Sequence, residues 1–126
     1  MTESLSVDVD SFAGVALLRL RGGLVFGENL KAIHDIVTRL TNEGLDRVIV
    51  DLTDVASTDS SGITALLDVK QLVEHMILLR PSDRLRSALA VARVTSLFEV
   101  VDDERQLSRC LGELPDHTNA PDGGNR

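Results

Sequence analysis

The feature that most constrains the fold is the run Val48-Ile49-Val50-Asp51-Leu52, which is short, almost continuously apolar and rich in β-branched side chains. Such a run predicts a strand buried on both faces, as strands are in the middle of a sheet flanked by helices. The polar residues 53–61 follow it and predict a loop. Beyond them, apolar residues recur at helical spacing, so the run opens a strand–loop–helix unit.

The residues before this unit predict two strands and a helix. Polar and apolar side chains alternate over residues 5–10, which is typical of a strand near a sheet edge. Residues 15–21 predict a second strand, which Gly22-Gly23 would end. An apolar stripe with helical spacing predicts a helix over residues 28–42. Glu28 lies near the start of that helix, where the helix dipole favours negative charge.

The residues after the central strand predict alternating helices and strands. Helical stripes cover residues 63–73, 82–92 and 107–114, and Ser82 can cap the middle one. Short apolar runs at 76–79 and 98–101 predict strands between them. The order is then β-β-α-β-α-β-α-β-α, an α/β fold in which a mixed β-sheet of about five strands packs against about four α-helices.

Length and charge limit the class of protein. The 126 residues suit a single domain, which we place at 1–114, and the Pro-, Gly-, Asp- and Asn-rich residues 115–126 predict a disordered tail. The net charge of −7 disfavours nucleic acid and membrane surfaces as partners. Residues 1–10 lack the basic start and apolar core of a signal peptide, and no apolar run approaches the ~18 residues of a membrane span. We therefore expect a cytoplasmic protein.

No residue pattern favours an enzyme, a metal site or a cofactor. None of the three histidines, His34, His75 and His117, has a ligand partner three or four residues further along the chain. Neither a Gly-x-Ser-x-Gly elbow nor a phosphate-binding Gly-x-x-x-x-Gly-Lys loop occurs. Cys110 lies on an apolar stripe, which predicts a buried, slowly reacting thiol, and the acidic residues 102–104 suit the start of a helix.

The loop that precedes the second predicted helix is the best candidate for function. Asp59 or Ser60 can cap the helix, which is a sufficient structural reason for either residue. A hydroxyl here would also be exposed at the carboxyl edge of the sheet, where ligands and partners commonly dock. A phosphate on it would add about −1.5 to −2 charge and would repel a partner packed there. The position therefore suits a switch that changes binding more than folding.

The sequence resembles STAS domains, and among them the stand-alone anti-sigma-factor antagonists. The resemblance spans about residues 5–114. It is carried by residues 48–55, then by Asp59-Ser60-Ser61-Gly62-Ile63, and by residues 22–28, 80–85 and 94–103.

This resemblance implies a phosphoprotein that regulates transcription, of the kind that serves stress responses. Such antagonists bind an anti-sigma factor that is also a serine kinase, and so release a sigma factor. The kinase phosphorylates a serine at the start of the second helix to end the binding, and a serine phosphatase resets the switch. The match places the acceptor at Ser60, with Ser61 as the fallback. The implied partner-binding residues are Thr58, Asp59, Ser60, Ser61, Gly62, Ile63 and Glu28.

Two alternatives remain open on the sequence alone. The first is a STAS scaffold or sensor partner without the kinase cycle, or the cytoplasmic STAS subunit of a transporter; such a protein has no need of an acceptor serine. The second is a small nucleotide-binding or nucleotide-hydrolysing protein, which the lack of a phosphate-binding loop disfavours.

Overall fold

The computed structural model describes residues 5–12, 14–103 and 105–107. Five strands and three α-helices alternate in the expected order, with a 3-10 turn at Thr95–Leu97 before the last strand. Their bounds are β1 Ser6–Phe12, β2 Val15–Leu24, α1 Leu30–Asn42, β3 Arg47–Thr58, α2 Ser60–Leu72, β4 His75–Leu79, α3 Asp83–Val91 and β5 Glu99–Val101. Residues 105–107 are helical where the fourth helix is expected. The rest of that helix, Cys110, His117 and the predicted tail lie outside the described residues.

The strands form one mixed sheet in the order β1-β2-β3-β4-β5. β1 is an edge strand and pairs antiparallel with β2, whereas every later pair is parallel. Each parallel connection therefore shifts by one strand in the same direction. Because such crossovers share one hand, their helices fall on the same face of the sheet. Side chains from all three helices, including Ile33, Leu66 and Leu85, accordingly belong to one core cluster.

The central strand is buried on both faces, as the sequence predicts. Val48, Val50 and Leu52 point into the core under the helices. Ile49 points the other way and joins a smaller buried cluster, against which Leu107 packs. The helical segment that contains Leu107 thus contacts the sheet face opposite α1, α2 and α3.

Asp51 is a buried carboxylate on that opposite face. Its Oδ1 accepts hydrogen bonds from the Thr53 amide at 3.0 Å and the Thr53 hydroxyl at 2.6 Å, and its Oδ2 accepts one from Arg19 Nε at 3.3 Å. Burial alone would raise the pKa of Asp51, but the bonds from Thr53 and the charge of Arg19 lower it below 3.8. The charge is thus compensated inside the fold.

The predicted loop over residues 53–61 is wrong, because β3 continues to Thr58 and α2 starts at Ser60. The predicted end of the preceding strand at Gly22-Gly23 is wrong as well, since β2 runs through both glycines to Leu24. The two extensions pair with each other, for example Leu24 with Thr58. This long-range pairing makes a strand from residues whose own pattern is that of a loop.

The first helix is expected from about Glu28 to Asn42, and α1 is found from Leu30 to Asn42, so it starts two residues later. Glu28 lies in the preceding loop, where its Oε1 accepts a hydrogen bond from the Leu5 amide at 2.6 Å. The carboxylate therefore joins the residue before β1 to the loop between β2 and α1.

Candidate functional site

The start of α2 lies at the carboxyl edge of the sheet and is organised by the Asp59 carboxylate. Oδ1 accepts hydrogen bonds from the amides of Ser61 at 2.9 Å and Gly62 at 3.1 Å, which makes Asp59 the N-cap. Oδ2 accepts a third bond from the Phe26 amide at 3.0 Å. One side chain thus caps α2 and holds the β2–α1 loop beside it, which confirms the capping role considered for Asp59.

These hydrogen bonds also set the charge of the site. The bond from the Phe26 amide, together with those from Gly62 and Ser61, lowers the pKa of Asp59 below its ordinary value of 3.8. Asp59 is exposed, so a fixed negative charge faces solvent beside the candidate acceptor serines.

Gly62 allows α2 to approach the end of β2. A Cβ at this position would lie 1.9 Å from the Leu24 carbonyl oxygen and 2.4 Å from Thr58 Oγ1. The same carbonyl accepts a hydrogen bond from Thr58 Oγ1 at 2.9 Å and one from the Asp59 amide at 3.4 Å. Strand and helix are therefore in backbone contact directly under the candidate site.

The two candidate acceptors point into different grooves. Ser60 is exposed and lines the groove between α2 and α3, whereas Ser61 is half-buried and lines the groove between α1 and α2. Among the described residues, no partner accepts or donates a hydrogen bond at the Ser60 hydroxyl. The backbone carbonyl of Ser60 accepts a hydrogen bond from Thr64 Oγ1 at 2.9 Å. The Ser60 hydroxyl is therefore accessible and is not needed to hold the loop together.

The predicted partner-binding residues gather at this end of the fold but differ in exposure. Ile63 and Gly62 are buried, so they shape the surface from below. Glu28 lies in the adjoining loop that Asp59 contacts through Phe26. Asp59 and Ser60 are exposed, while Thr58, Ser61 and Glu28 are half-buried.

Sequence reasoning missed two large apolar side chains at the site. Phe26 is 81 % exposed in the loop bound by Asp59, and Val91 is 84 % exposed beside the groove that Ser60 lines. Aromatic side chains are enriched in protein-binding surfaces, so Phe26 is a candidate partner contact. For Phe26 the available signal was its place in a turn next to Gly27, which has no side chain to pack against it.

The described part of the chain offers neither a metal-binding cluster nor a membrane-spanning helix. No group of three or more His, Cys, Asp or Glu side chains there could hold a metal ion. None of the helices in that part is both long and apolar enough to cross a membrane.

The family model for the STAS domain matches residues 6–107. The chain therefore belongs to the STAS domain family, which confirms the resemblance found in the sequence. No curated protein sequence matches the chain.

Solved structures with this fold include anti-sigma-factor antagonists. SpoIIAA in its unphosphorylated form has a TM-score of 0.69 and 17 % identity over 87 % of this chain and 100 % of that chain. SpoIIAA from Bacillus in its phosphorylated form has a TM-score of 0.64 and 19 % identity over 83 % of this chain and 99 % of that chain. An anti-sigma factor antagonist from Mycobacterium paratuberculosis has a TM-score of 0.76 and 12 % identity over 87 % and 96 %.

The same fold occurs in a transporter. The murine anion transporter Slc26a9 has a TM-score of 0.68 and 16 % identity over 82 % of this chain, which corresponds to only 18 % of the transporter. At such low identities the likenesses establish the fold alone.

Proposed function

We propose that this chain is an anti-sigma-factor antagonist. It binds an anti-sigma factor with serine-kinase activity in the cytoplasm and so frees a sigma factor for transcription. The kinase transfers the γ-phosphoryl group of ATP to Ser60 Oγ, which loses its proton, and ADP leaves. The phosphorylated chain no longer binds, and a serine phosphatase restores it. In this cycle the chain is a binding protein and a substrate, not an enzyme.

The accessibility of Ser60 carries the proposal. Its hydroxyl is exposed at the first residue of α2, while Asp59 and Thr58 make the hydrogen bonds that fix the loop. A phosphate can therefore be added without breaking a contact of the fold. Ser61, which faces the groove next to α1, is half-buried and remains the fallback acceptor.

Electrostatics supplies the switch. The surface around Ser60 already carries the Asp59 charge, and exposed apolar groups such as Phe26 adjoin it. A partner packed on this surface removes water from it. Two further negative charges would then be costly to cover, since they add desolvation and repulsion at the interface. Release of the partner follows from the charge alone.

Pull-down from lysate of the source cells tests the proposal. The baits are wild type, Ser60→Ala and Ser60→Asp, with Ser61→Asp as a matched control that adds the same charge one residue away. We expect a small ATP-binding anti-sigma kinase to be retained by wild type and Ser60→Ala and lost with Ser60→Asp. Incubation of the purified pair with ATP should then place the phosphate on Ser60 by mass spectrometry.

Two results would count against the switch at Ser60. One is phosphate found on another residue only. The other is a Ser60→Asp variant that binds its kinase as tightly as wild type and is released no further by full phosphorylation, which carries more charge than a single Asp.

The likeness to Slc26a9 favours a second candidate. A STAS scaffold, sensor partner or transporter subunit would bind other proteins through the same fold and would not depend on Ser60. In that case all baits would retain the same non-kinase partner.

A further inference from the structure

Among the described residues, one cation lines the groove between α2 and α3, which the candidate acceptor Ser60 also lines. The groove has a volume of about 440 Å³ and a mostly apolar lining. Helix α2 contributes Ser60 and Ile63 to it, and helix α3 contributes Arg84 and Val91. The charged side chains that line it are Asp59 and Arg84. Ser60 and Arg84 lie in the first turns of two neighbouring helices that both start at the carboxyl edge of the sheet.

Arg84 forms no ion pair with Asp59, the other charged side chain of the groove, whose carboxylate oxygens are bound by backbone amides instead. Arg86, two residues further along α3, pairs with Asp102, and Arg19 pairs with Asp51. Arg84, in contrast, forms no ion pair or side-chain hydrogen bond with any residue in the described part of the chain. A cation in the first turn of a helix is also opposed by the helix dipole. An anion in the groove would give Arg84 an ion-pair partner and would interact favourably with the positive end of the helix dipole.

We propose that Arg84 receives the phosphate of phosphoserine at position 60 across this groove. A guanidinium can hold a phosphate through two parallel N–H···O bonds, which a lysine cannot do. Phosphorylation would then join α2 to α3 and fill the groove, in addition to changing the charge of the surface. This inference rests on the assignment of Ser60 as acceptor in the proposed function.

The alternative acceptor would meet different side chains. A phosphate on Ser61 would face the groove lined by Lys31, His34 and Asp68. Each groove holds one carboxylate that would repel a phosphate, Asp59 beside Ser60 and Asp68 beside Ser61. The cations differ, because Lys31 already pairs with Asp35 at 3.7 Å. Arg84 therefore distinguishes Ser60 from Ser61, and Lys31 provides a control cation on the other side of α2.

The test places phosphoserine at position 60 of the full chain by genetic code expansion, so that no kinase is required. Titration by ³¹P NMR gives the second pKa of the phosphate, which is about 6 without partners. Arg84→Gln should raise this pKa by roughly half a pH unit, the size expected for loss of an exposed ion pair. Lys31→Gln removes the same charge from the other groove and should leave the pKa unchanged.

Equal shifts in the two variants, or no shift in Arg84→Gln, would overturn the proposal. Phosphoserine placed at position 61 adds a reciprocal control, because its pKa should not respond to Arg84→Gln. Arg84 is exposed, so the substitution should preserve the fold, which circular dichroism checks. Failure of the Arg84 pairing would leave charge-based release of the kinase intact, and failure to find a kinase would not affect the titration.

Discussion

Addition of one methyl group at Gly62 should destabilise the domain and displace the start of α2. An ideal Cβ would lie 1.9 Å from the oxygen and 2.8 Å from the carbon of the Leu24 carbonyl, whereas real Cβ atoms essentially never come closer than 3.0 Å to such atoms. The carbonyl belongs to the backbone of β2 and is fixed by the bonds from Thr58 and Asp59, so it cannot rotate away as a side chain would.

The size of the effect follows from two opposing contributions. Ala is favoured over Gly inside a helix by about 1 kcal/mol. Overpacking of a well-packed site costs about 1–3 kcal/mol and more where only backbone can move. Since relief of this contact requires a shift of about an ångström in β2 or α2, we expect Gly62→Ala to lower the free energy of unfolding by roughly 2 kcal/mol net.

Urea unfolding followed by circular dichroism measures this difference. The matched control is Gly23→Ala, which adds the same methyl group in β2. There the new Cβ would lie 3.4 Å from Val25 Cγ2 and 3.6 Å from Ser57 Oγ, both ordinary contacts with side chains. Its stability should stay within about 0.5 kcal/mol of wild type. A Gly62→Ala variant as stable as the Gly23→Ala variant would refute the backbone-contact explanation.

Two further predictions concern acid stability and partner contact. Because the folded-state pKa of Asp51 lies below the ordinary 3.8, its ionised form stabilises the fold above that pH, and this contribution is lost as pH falls through the folded-state pKa. Urea midpoints of wild type and Asp51→Asn should therefore differ at neutral pH and converge in acid; a gap that widens in acid would contradict this sign. Phe26→Ala should weaken binding of the captured partner roughly tenfold without changing the unfolding midpoint, as for an exposed aromatic anchor. Phe12 is 84 % exposed, but it ends β1 beside the start of β2, at the opposite end of the sheet from the candidate site. Phe12→Ala should therefore leave binding unchanged.

The core elements were predictable because their burial pattern is local. The apolar run at 48–52 and the stripe with Ile33 and Val37 show their buried faces directly in the sequence. Residues 53–58 were not predictable in the same way, because they have a single buried anchor, Val55, and become a strand only by pairing with the end of β2. Such pairing depends on residues more than thirty positions away.

The contacts of the candidate site are likewise of two kinds, local ones that the sequence predicts and long-range ones that it does not. Capping by Asp59 is a local signal, because a carboxylate before a helical stripe satisfies the nearest amides. The bond from the Phe26 amide and the approach of Leu24 to Gly62 are long-range contacts that the local spacing does not encode. The place of Arg84 in the α2–α3 groove is likewise defined only by the packing of two helices.

The contacts that hold the start of α2 limit how a kinase can recognise Ser60. The serine opens a helix whose geometry depends on the Asp59 cap and on the Leu24 carbonyl beneath Gly62. A peptide cut from this region would lose both supports, and helices this short are marginal in water. A kinase acting on Ser60 would therefore have to read a three-dimensional epitope instead of a linear motif. Only correctly folded molecules would then be phosphorylated, so the presence of the phosphate would itself show that the domain is folded.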